Sequence, residues 1–105
     1  MMAITSEVKE NELIIKLPEE FNFHCQSEFR QAYENKVDNW TKRIVLDFSQ
    51  TRYIDSASLG MMLILREYVE NIGNVQHNIN LVNCTKDVLE ILGVTNFEKL
   101  FVINN

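Results

Sequence analysis

Two short runs of β-prone residues open the chain, with a polar turn between them. The runs AITSEV (3–8) and ELIIKL (12–17) are rich in β-prone residues, and the polar KEN separates them. Two such runs joined by a short polar turn are typical of a β-hairpin, so we predict an N-terminal hairpin of strands 3–8 and 12–17. Pro18 lacks a backbone donor and ends the second strand.

Farther along, the apolar spacing alternates between the helical and the strand period. Residues 25–37 have apolar positions at helical spacing, and RIVLDF (43–48) is a near-continuous apolar run, which is typical of a strand covered on both faces. A second helix is predicted from Ser56 to Asn71, with Gly73 in a C-cap position. The remaining predicted elements are a strand in HNINLVN (77–83), a helix over 85–94 with Thr85 as N-cap and Gly93 as its end, and a last strand in KLFVI (99–103).

The resulting order of elements, β-β-α-β-α-β-α-β, indicates one fold class. It predicts an α/β fold with a mixed sheet of four to five strands and helices mainly on one face. The chain has 105 residues, of which 46% are hydrophobic, and neither a linker nor a repeat divides it. That amount of apolar material supplies one core, so we expect a single domain over 1–105.

The charge balance narrows the range of partners. There are 15 acidic and 10 basic side chains, for a formal net charge of −5. This balance disfavours nucleic acid, whose phosphates need a basic face, and an anionic membrane surface. The N-terminus lacks the pattern of a signal peptide, and no apolar run approaches the ~20 residues of a membrane span. We expect a cytoplasmic protein, a monomer or weak dimer, that binds proteins or small molecules.

Catalytic and metal-binding patterns are absent from the sequence. Cys25 and Cys84 are far apart and belong to no Cys-x-x-Cys or Cys/His set, so we predict buried, reduced thiols. His24 and His77 have no catalytic neighbours, and the three glycines form no phosphate-binding loop. We therefore predict a protein that is not an enzyme and that uses no cofactor or metal.

The stretch YIDSASLG (53–60) places two hydroxyls around an alanine directly before the second helix. Either Asp55 or Ser56 falls at the N-cap, where its side chain accepts from N–H groups of the first turn. A helix N-terminus also favours a phosphate, because its N–H groups are unpaired and its dipole end is positive. Local chemistry therefore favours a structural cap, and the same loop is also a suitable place for a phosphoryl group.

The helix that follows is apolar over more of its surface than packing on one sheet requires. Apolar residues occupy overlapping turns on two sides of it: Leu59, Met62, Leu63 and Val69 on one, and Met61, Ile64, Leu65 and Tyr68 on the other. Either the helix is buried on nearly all sides, or it offers a Met-rich patch to another protein.

The run IVLDFSQTRYIDSASLGMMLILRE (44–67), with the order of elements around it, resembles the STAS domains of anti-sigma factor antagonists, in particular the single-domain proteobacterial type. The resemblance implies a signalling protein without catalysis that regulates transcription by partner switching. Unphosphorylated, such an antagonist binds an anti-sigma factor or serine kinase; phosphorylation breaks the complex and a phosphatase resets it. In some proteobacterial members the output is control of biofilm or motility.

The family loop reads Asp-Ser-Ser/Thr-Gly-Leu-Gly, and its second hydroxyl residue accepts the phosphoryl group. Matched to this pattern, the acceptor position holds Ala57, with Ser56 before it and Ser58 after it. The resemblance thus implies a phosphorylation loop over these three residues. It also implies a partner-binding surface, which comprises Asp55, Ser56, Leu59, Gly60, Met61, Ile64 and Tyr68.

Ala57 leaves three explanations open. The chain is a natural member that has lost its switch, or Ser56 or Ser58 accepts the group instead, or Ala57 is an engineered substitution that traps the unphosphorylated form. A shift of one residue on a helix turns the hydroxyl by ~100°, which counts against the second explanation. Because all three leave binding intact, we expect a chain locked in the unphosphorylated, binding-competent state.

A different function remains possible on the same fold. STAS domains also occur in sensory and transport proteins, and similar domains have been proposed to bind nucleotides or lipids. Asp47, Ser49, Gln50 and Thr51 follow the central strand, and ligand sites of α/β sheets tend to lie at that end. The alternative is therefore a ligand-sensing STAS module.

Overall fold

The computed structural model describes residues 4–104. Seven strands and three α-helices are assigned within that range. The strands are β1 (Thr5–Lys9), β2 (Glu12–Lys16), β3 (Glu20–Phe21), β4 (Arg43–Asp47), β5 (Tyr53–Ile54), β6 (Ile79–Val82) and β7 (Val102–Asn104). The helices are α1 (Gln26–Glu34), α2 (Ser56–Tyr68) and α3 (Lys86–Val94), and single 3-10 turns cover Phe23–Cys25, Val75–His77 and Phe97–Lys99.

Five of the strands form one mixed sheet in the order β1-β2-β4-β6-β7. The β1–β2 pair is antiparallel, and the other three pairs are parallel. The register aligns Leu13, Ile44 and Ile79 in one row across the central strands. The structure confirms the mixed sheet predicted from the order of elements. It places β1 at Thr5–Lys9, and residue 3 of the predicted strand 3–8 lies outside the described residues.

The core lies on one face of this sheet, beneath all three helices. The inward residues of β2, β4 and β6 share a single buried cluster with Phe29 of α1, Leu65 of α2 and Leu92 of α3. The opposite face bears Glu12, Arg43 and other polar side chains. The prediction that helices lie mainly on one face is thus confirmed.

One detail of the central strand differs from the prediction. RIVLDF is not a strand covered by other elements on both faces: Ile44, Leu46 and Phe48 join the core, whereas Val45 lies on the face outside that core. Val45 is buried because its neighbours in the register are Ile14 and Asn80 of the adjacent strands. A central strand can therefore be almost entirely apolar with helices on one side alone.

Several predicted helix ends are wrong by a few residues. α1 begins after a 3-10 turn and ends at Glu34, and α2 ends at Tyr68, so Gly73 is not its cap; Gly73, at φ +49°, lies in the following turn. Gly93 lies inside α3 rather than ending it, because the left-handed residue after that helix is Asn96, at φ +60°. Asparagine tolerates this conformation almost as glycine does.

The last strand and the small second sheet also differ from the prediction. Residues 97–99 form a 3-10 turn, which delays the final strand to Val102–Asn104. β3 and β5 pair in parallel as a separate two-stranded sheet, through Glu20 with Tyr53 and Phe21 with Ile54. Strands of two residues are too short to show a period, so no pattern along the chain predicted them. This small sheet fixes the segment that leads into α2.

Candidate functional site at the start of α2

The N-terminus of α2 is closed by a reciprocal pair of side-chain hydrogen bonds. Asp55 is the N-cap, and its carboxylate accepts from the backbone N–H of Ser58 at 2.8 Å. In return, the Ser58 hydroxyl accepts from the backbone N–H of Asp55 at 2.9 Å and donates to its carbonyl at 2.8 Å. This capping box satisfies two donors that a helix start otherwise leaves unpaired, and it decides the cap position in favour of Asp55.

Residues 56–58, for which the resemblance predicts a phosphorylation loop, have different surroundings. Ser58 is 0% exposed, and its hydroxyl is committed to Asp55 both as donor and as acceptor. Ala57 is half-buried and has no hydroxyl, whereas Ser56, the first residue of the helix, is exposed. Of the two hydroxyls, the one accessible to another protein is therefore that of Ser56.

One face of α2 remains open to solvent along most of its length. Ser56, Gly60, Ile64 and Tyr68 follow one another at intervals of four residues, which aligns them on one side of the helix. Ile64 is 51% exposed and Tyr68 is 44% exposed. A side chain built at Gly60 would meet nothing within 4 Å, so the backbone there is bare. We call these four residues the open stripe of α2.

The other side chains expected to bind a partner are placed deeper. Leu59 is 7% exposed and Met61 is 5% exposed, and both belong to the core. Met62 is fully buried as well. The methionines of α2 thus pack inside the molecule, and the exposed apolar surface of the helix comes from Leu63, Ile64 and Tyr68.

The C-terminal half of α2 is tied to the end of α1. The Tyr68 hydroxyl donates to the carbonyl of Glu34 at 2.7 Å, and the rings of Tyr33 and Tyr68 meet edge to face at 5.1 Å. Tyr33 is itself in edge contact with Phe29. Edge-to-face contacts and the hydrogen bond hold the two helices in one fixed relation, which gives the open stripe a rigid support.

Between the two helices lies a groove of about 450 Å³. Its main walls and floor are formed by Phe23, Phe29, Arg30, Tyr33, Met61 and Ile64. Because Ile64 belongs both to this groove and to the open stripe, the two features form one continuous surface. We call the cavity the α1–α2 groove.

Comparison with known proteins identifies the family. The family model for the STAS domain matches residues 3–105. The chain belongs to the STAS family. A curated relative, the STAS-domain containing protein PA14_20770 of Pseudomonas aeruginosa (strain UCBPP-PA14), is 39% identical over 105 residues, which covers 98% of this chain and 100% of the relative.

Solved structures give the same fold for this STAS domain. TM1081 of Thermotoga maritima, a candidate anti-sigma factor antagonist, superimposes with a TM-score of 0.78 at 23% identity, covering 97% of this chain and 86% of the other. The anti-sigma factor antagonist SpoIIAA of Bacillus, in its unphosphorylated form, gives a TM-score of 0.74 at 18% identity, covering 98% of this chain and 89% of the other. At these identities the likeness concerns the fold.

Polar side chains at the C-terminal end of β4 make contacts within this STAS domain. Asp47 accepts from the Ser49 backbone N–H at 2.9 Å and from the Asn83 side chain at 3.1 Å. Burial alone would raise the pKa of Asp47, but these hydrogen bonds and the nearby Lys16 together hold it below its ordinary value. The Thr51 side chain is fully buried. Two of the four residues considered for a ligand site are thus part of the packing between strands and loops.

No group of three metal-ligating side chains comes together among residues 4–104. None of the helices in that range has both the length and the apolar character needed to cross a bilayer. Cys25 and Cys84 are buried as predicted, and burial, followed by the charge of Asp47, raises the pKa of the Cys84 thiol to about 11.

Phe23 is the residue of this site that the sequence analysis missed. It is 59% exposed, and its ring lies 4.0 Å from that of His24, centroid to centroid. The FNF stretch (21–23) held no signal of this exposure, because a strand period of two would turn Phe21 and Phe23 to the same face, whereas the chain leaves β3 at Phe21 and enters a 3-10 turn at Phe23. An exposed aromatic at the entrance of a groove is unusual enough to suggest a binding role.

Proposed function

We propose that this STAS domain is an anti-sigma factor antagonist of the partner-switching type, a regulator that binds an anti-sigma factor or serine kinase through α2. The observation that carries the proposal is the open stripe, which begins at the exposed Ser56 and continues to Ile64 on a rigidly supported helix. Exposed apolar residues beside a groove are typical of protein-binding surfaces. Switching requires a kinase and ATP, so we propose a cytoplasmic location.

We further propose that Ser56 is the phosphorylated residue, in place of the locked state expected from Ala57. Its exposure supports this assignment, since a kinase must reach the hydroxyl, whereas modification of Ser58 would disrupt the cap with Asp55. SpoIIAA, which has the same fold, has been solved in both unphosphorylated and phosphorylated forms. A phosphorylated member of this fold is therefore compatible with a folded domain.

The charges at the helix starts support the same assignment. The first turn of α2 contains no acidic residue beyond the Asp55 cap, whereas the first turns of α1 and α3 contain Glu28 and Asp87. An acidic residue there complements the positive end of the helix dipole. The first turn of α2 lacks this complement, so a phosphate on Ser56 would occupy a favourable and vacant position.

Phosphorylation would act on the partner through its position on the open stripe. Ser56 and Ile64 are eight residues apart on one helix face, which is about 12 Å at the rise of an α-helix. A phosphate adds about 1.5 to 2 negative charges at neutral pH. Buried beneath a partner without a matching cation, that charge would weaken the complex by the cost of desolvating it.

Intact-mass spectrometry tests the proposal most directly. We would incubate the wild type, Ser56→Ala and Ala57→Ser with ATP and a lysate of the source organism. We expect the wild type to gain one phosphoryl group and Ser56→Ala to gain none. If only Ala57→Ser gains the group, Ser56 is not the acceptor and the chain is a locked antagonist.

A result without phosphorylation in any variant would favour the ligand-sensing alternative. Thermal-shift measurements with nucleotides then separate the two functions, because a ligand that binds the native form alone raises the melting temperature. For a protein-binding regulator we expect no shift.

A further inference from the structure

The α1–α2 groove has the construction of a socket for one large apolar side chain. Phe29, Tyr33 and Met61 form its floor and are almost fully buried. Phe23 and Ile64 rise on its sides and are 59% and 51% exposed. An aromatic or branched side chain placed there would cover both exposed walls at once, and such anchors supply much of the binding free energy of protein interfaces.

A second, polar groove adjoins the first. It is lined by Glu19, Glu20 and Glu28, and His24 lines both cavities, so they share an edge. All three carboxylates are exposed. The cation on the α1–α2 groove, Arg30, forms an ion pair with Glu34 on the next turn of α1. The charge at the shared edge is therefore negative, in keeping with the net charge of −5.

From this juxtaposition we propose that the partner protein inserts one aromatic or large aliphatic side chain into the α1–α2 groove. A lysine or arginine next to that anchor lies over the carboxylates of Glu19, Glu20 and Glu28. The proposal rests on the proposed function, since it describes how the partner engages the surface that continues from the open stripe. Charge complementarity selects a basic partner segment, and the aromatic and aliphatic lining of the groove selects an apolar anchor.

The proposal can be tested without knowing the partner. Tryptamine and indole-3-propionate carry the same ring with an ammonium and a carboxylate respectively, so they reproduce the anchor with opposite flanking charges. Titration of each into the ¹⁵N-labelled protein, followed by amide chemical shifts, maps the site and gives the two affinities. We expect tryptamine to shift the amides around Phe23 and Ile64 and to bind about three- to fivefold more tightly than indole-3-propionate, as one exposed ion pair allows.

Variants separate the apolar and the charged half of the site. Ile64→Ser is expected to weaken both probes, whereas Val94→Ser, which removes a 77% exposed aliphatic side chain on α3, should leave both unchanged. The double variant Glu19→Gln with Glu28→Gln should bring the two affinities together. Unchanged amide shifts elsewhere in the spectrum confirm that each variant is folded.

Three results would overturn the proposal. Equal affinities of the two probes in the wild type would exclude a role for the carboxylates. Amide shifts that map away from the α1–α2 groove would exclude the groove as the binding site. Amide shifts at Phe23 and Ile64 that depend on protein concentration alone would mean that a second copy of this chain occupies the groove. None of these results bears on the phosphorylation of Ser56, which the mass measurement tests separately.

Discussion

Helices α2 and α3 lie on the same face of the sheet, and each begins at a side-chain cap. Asp55 caps α2 within a reciprocal box, while Thr85 caps α3 by accepting from the Val88 N–H at 3.3 Å. The first turn of α3 carries Asp87, whereas that of α2 carries small side chains and no acid. The cap is thus a shared structural device, and what distinguishes α2 is the uncharged, exposed surface that follows it.

The two helices also differ in where their glycine lies. Both contain a glycine whose added Cβ would meet nothing, Gly60 in α2 and Gly93 in α3. Gly60 lies between Ser56 and Ile64 on the open stripe, whereas Gly93 lies next to the last residue of its helix. A glycine in mid-helix lowers helix stability, and no described residue crowds Gly60 so as to require one there. We propose that the close approach of a partner requires it.

The largest effects are expected where the two helices are equivalent. Leu65 of α2 and Leu92 of α3 are both 0% exposed. Replacing either by alanine should lower the free energy of unfolding by about 2–5 kcal/mol, because each change leaves a cavity in the same core. Urea denaturation monitored by circular dichroism measures both. A much smaller loss for Leu92→Ala would mean that α3 is not anchored as α2 is.

Removal of the cap side chains is the next test, and here the helices should differ. Ser58→Ala eliminates short hydrogen bonds in a fully buried setting, so we expect a loss of about 1–2 kcal/mol. Thr85→Ala should lose about 1 kcal/mol or less, since its bond to Val88 is longer. No loss for Ser58→Ala in urea denaturation would show that the reciprocal bond adds nothing to the Asp55 cap, which this variant keeps.

The two glycines provide a matched pair with smaller effects. Gly60→Ala and Gly93→Ala should each stabilise the isolated chain by up to about 0.5–1 kcal/mol, because alanine fits a helix better and neither site is crowded. Only Gly60→Ala should reduce the amount of partner recovered from a lysate of the source organism. If Gly60→Ala binds as well as the wild type, the bare backbone has no role in recognition.

The sequence predicted the fold well because the fold depends on period and order. The β-prone run 12–17 and the apolar run 43–48 predicted strands where β2 and β4 lie, and the order of elements predicted the mixed sheet. Helix ends were predicted less well, since Asn96 adopts the left-handed conformation expected of Gly93. Which residue adopts the left-handed conformation depends on how the next segment packs, and the local sequence pattern does not carry that information.

The candidate site was predicted only in part, for a similar reason. The cap and the open stripe lie within one helix, and the resemblance to the family indicated Ser56, Gly60 and Ile64 there. The α1–α2 groove joins Phe23 to Ile64, which are far apart in sequence and meet only when α1 packs on α2. Likewise, Ser58 is buried because α2 packs against the core, and the sequence alone did not distinguish its exposure from that of Ser56.

The smallest expected change in stability comes from altering the charge in the first turns of α2 and α3. Ser56→Asp adds an acid to the first turn of α2 and should stabilise the chain by about 0.3–1 kcal/mol, whereas Asp87→Asn should destabilise α3 by a similar amount. Both changes should shrink in 1 M salt, which screens exposed charges. Thermal denaturation at low and high salt measures both changes.

Ser56→Asp should also reduce partner recovery, because the negative charge that stabilises the helix disfavours the complex. A variant that is more stable and binds less would separate the two roles of this position, and one that binds normally would exclude charge at Ser56 as the switch.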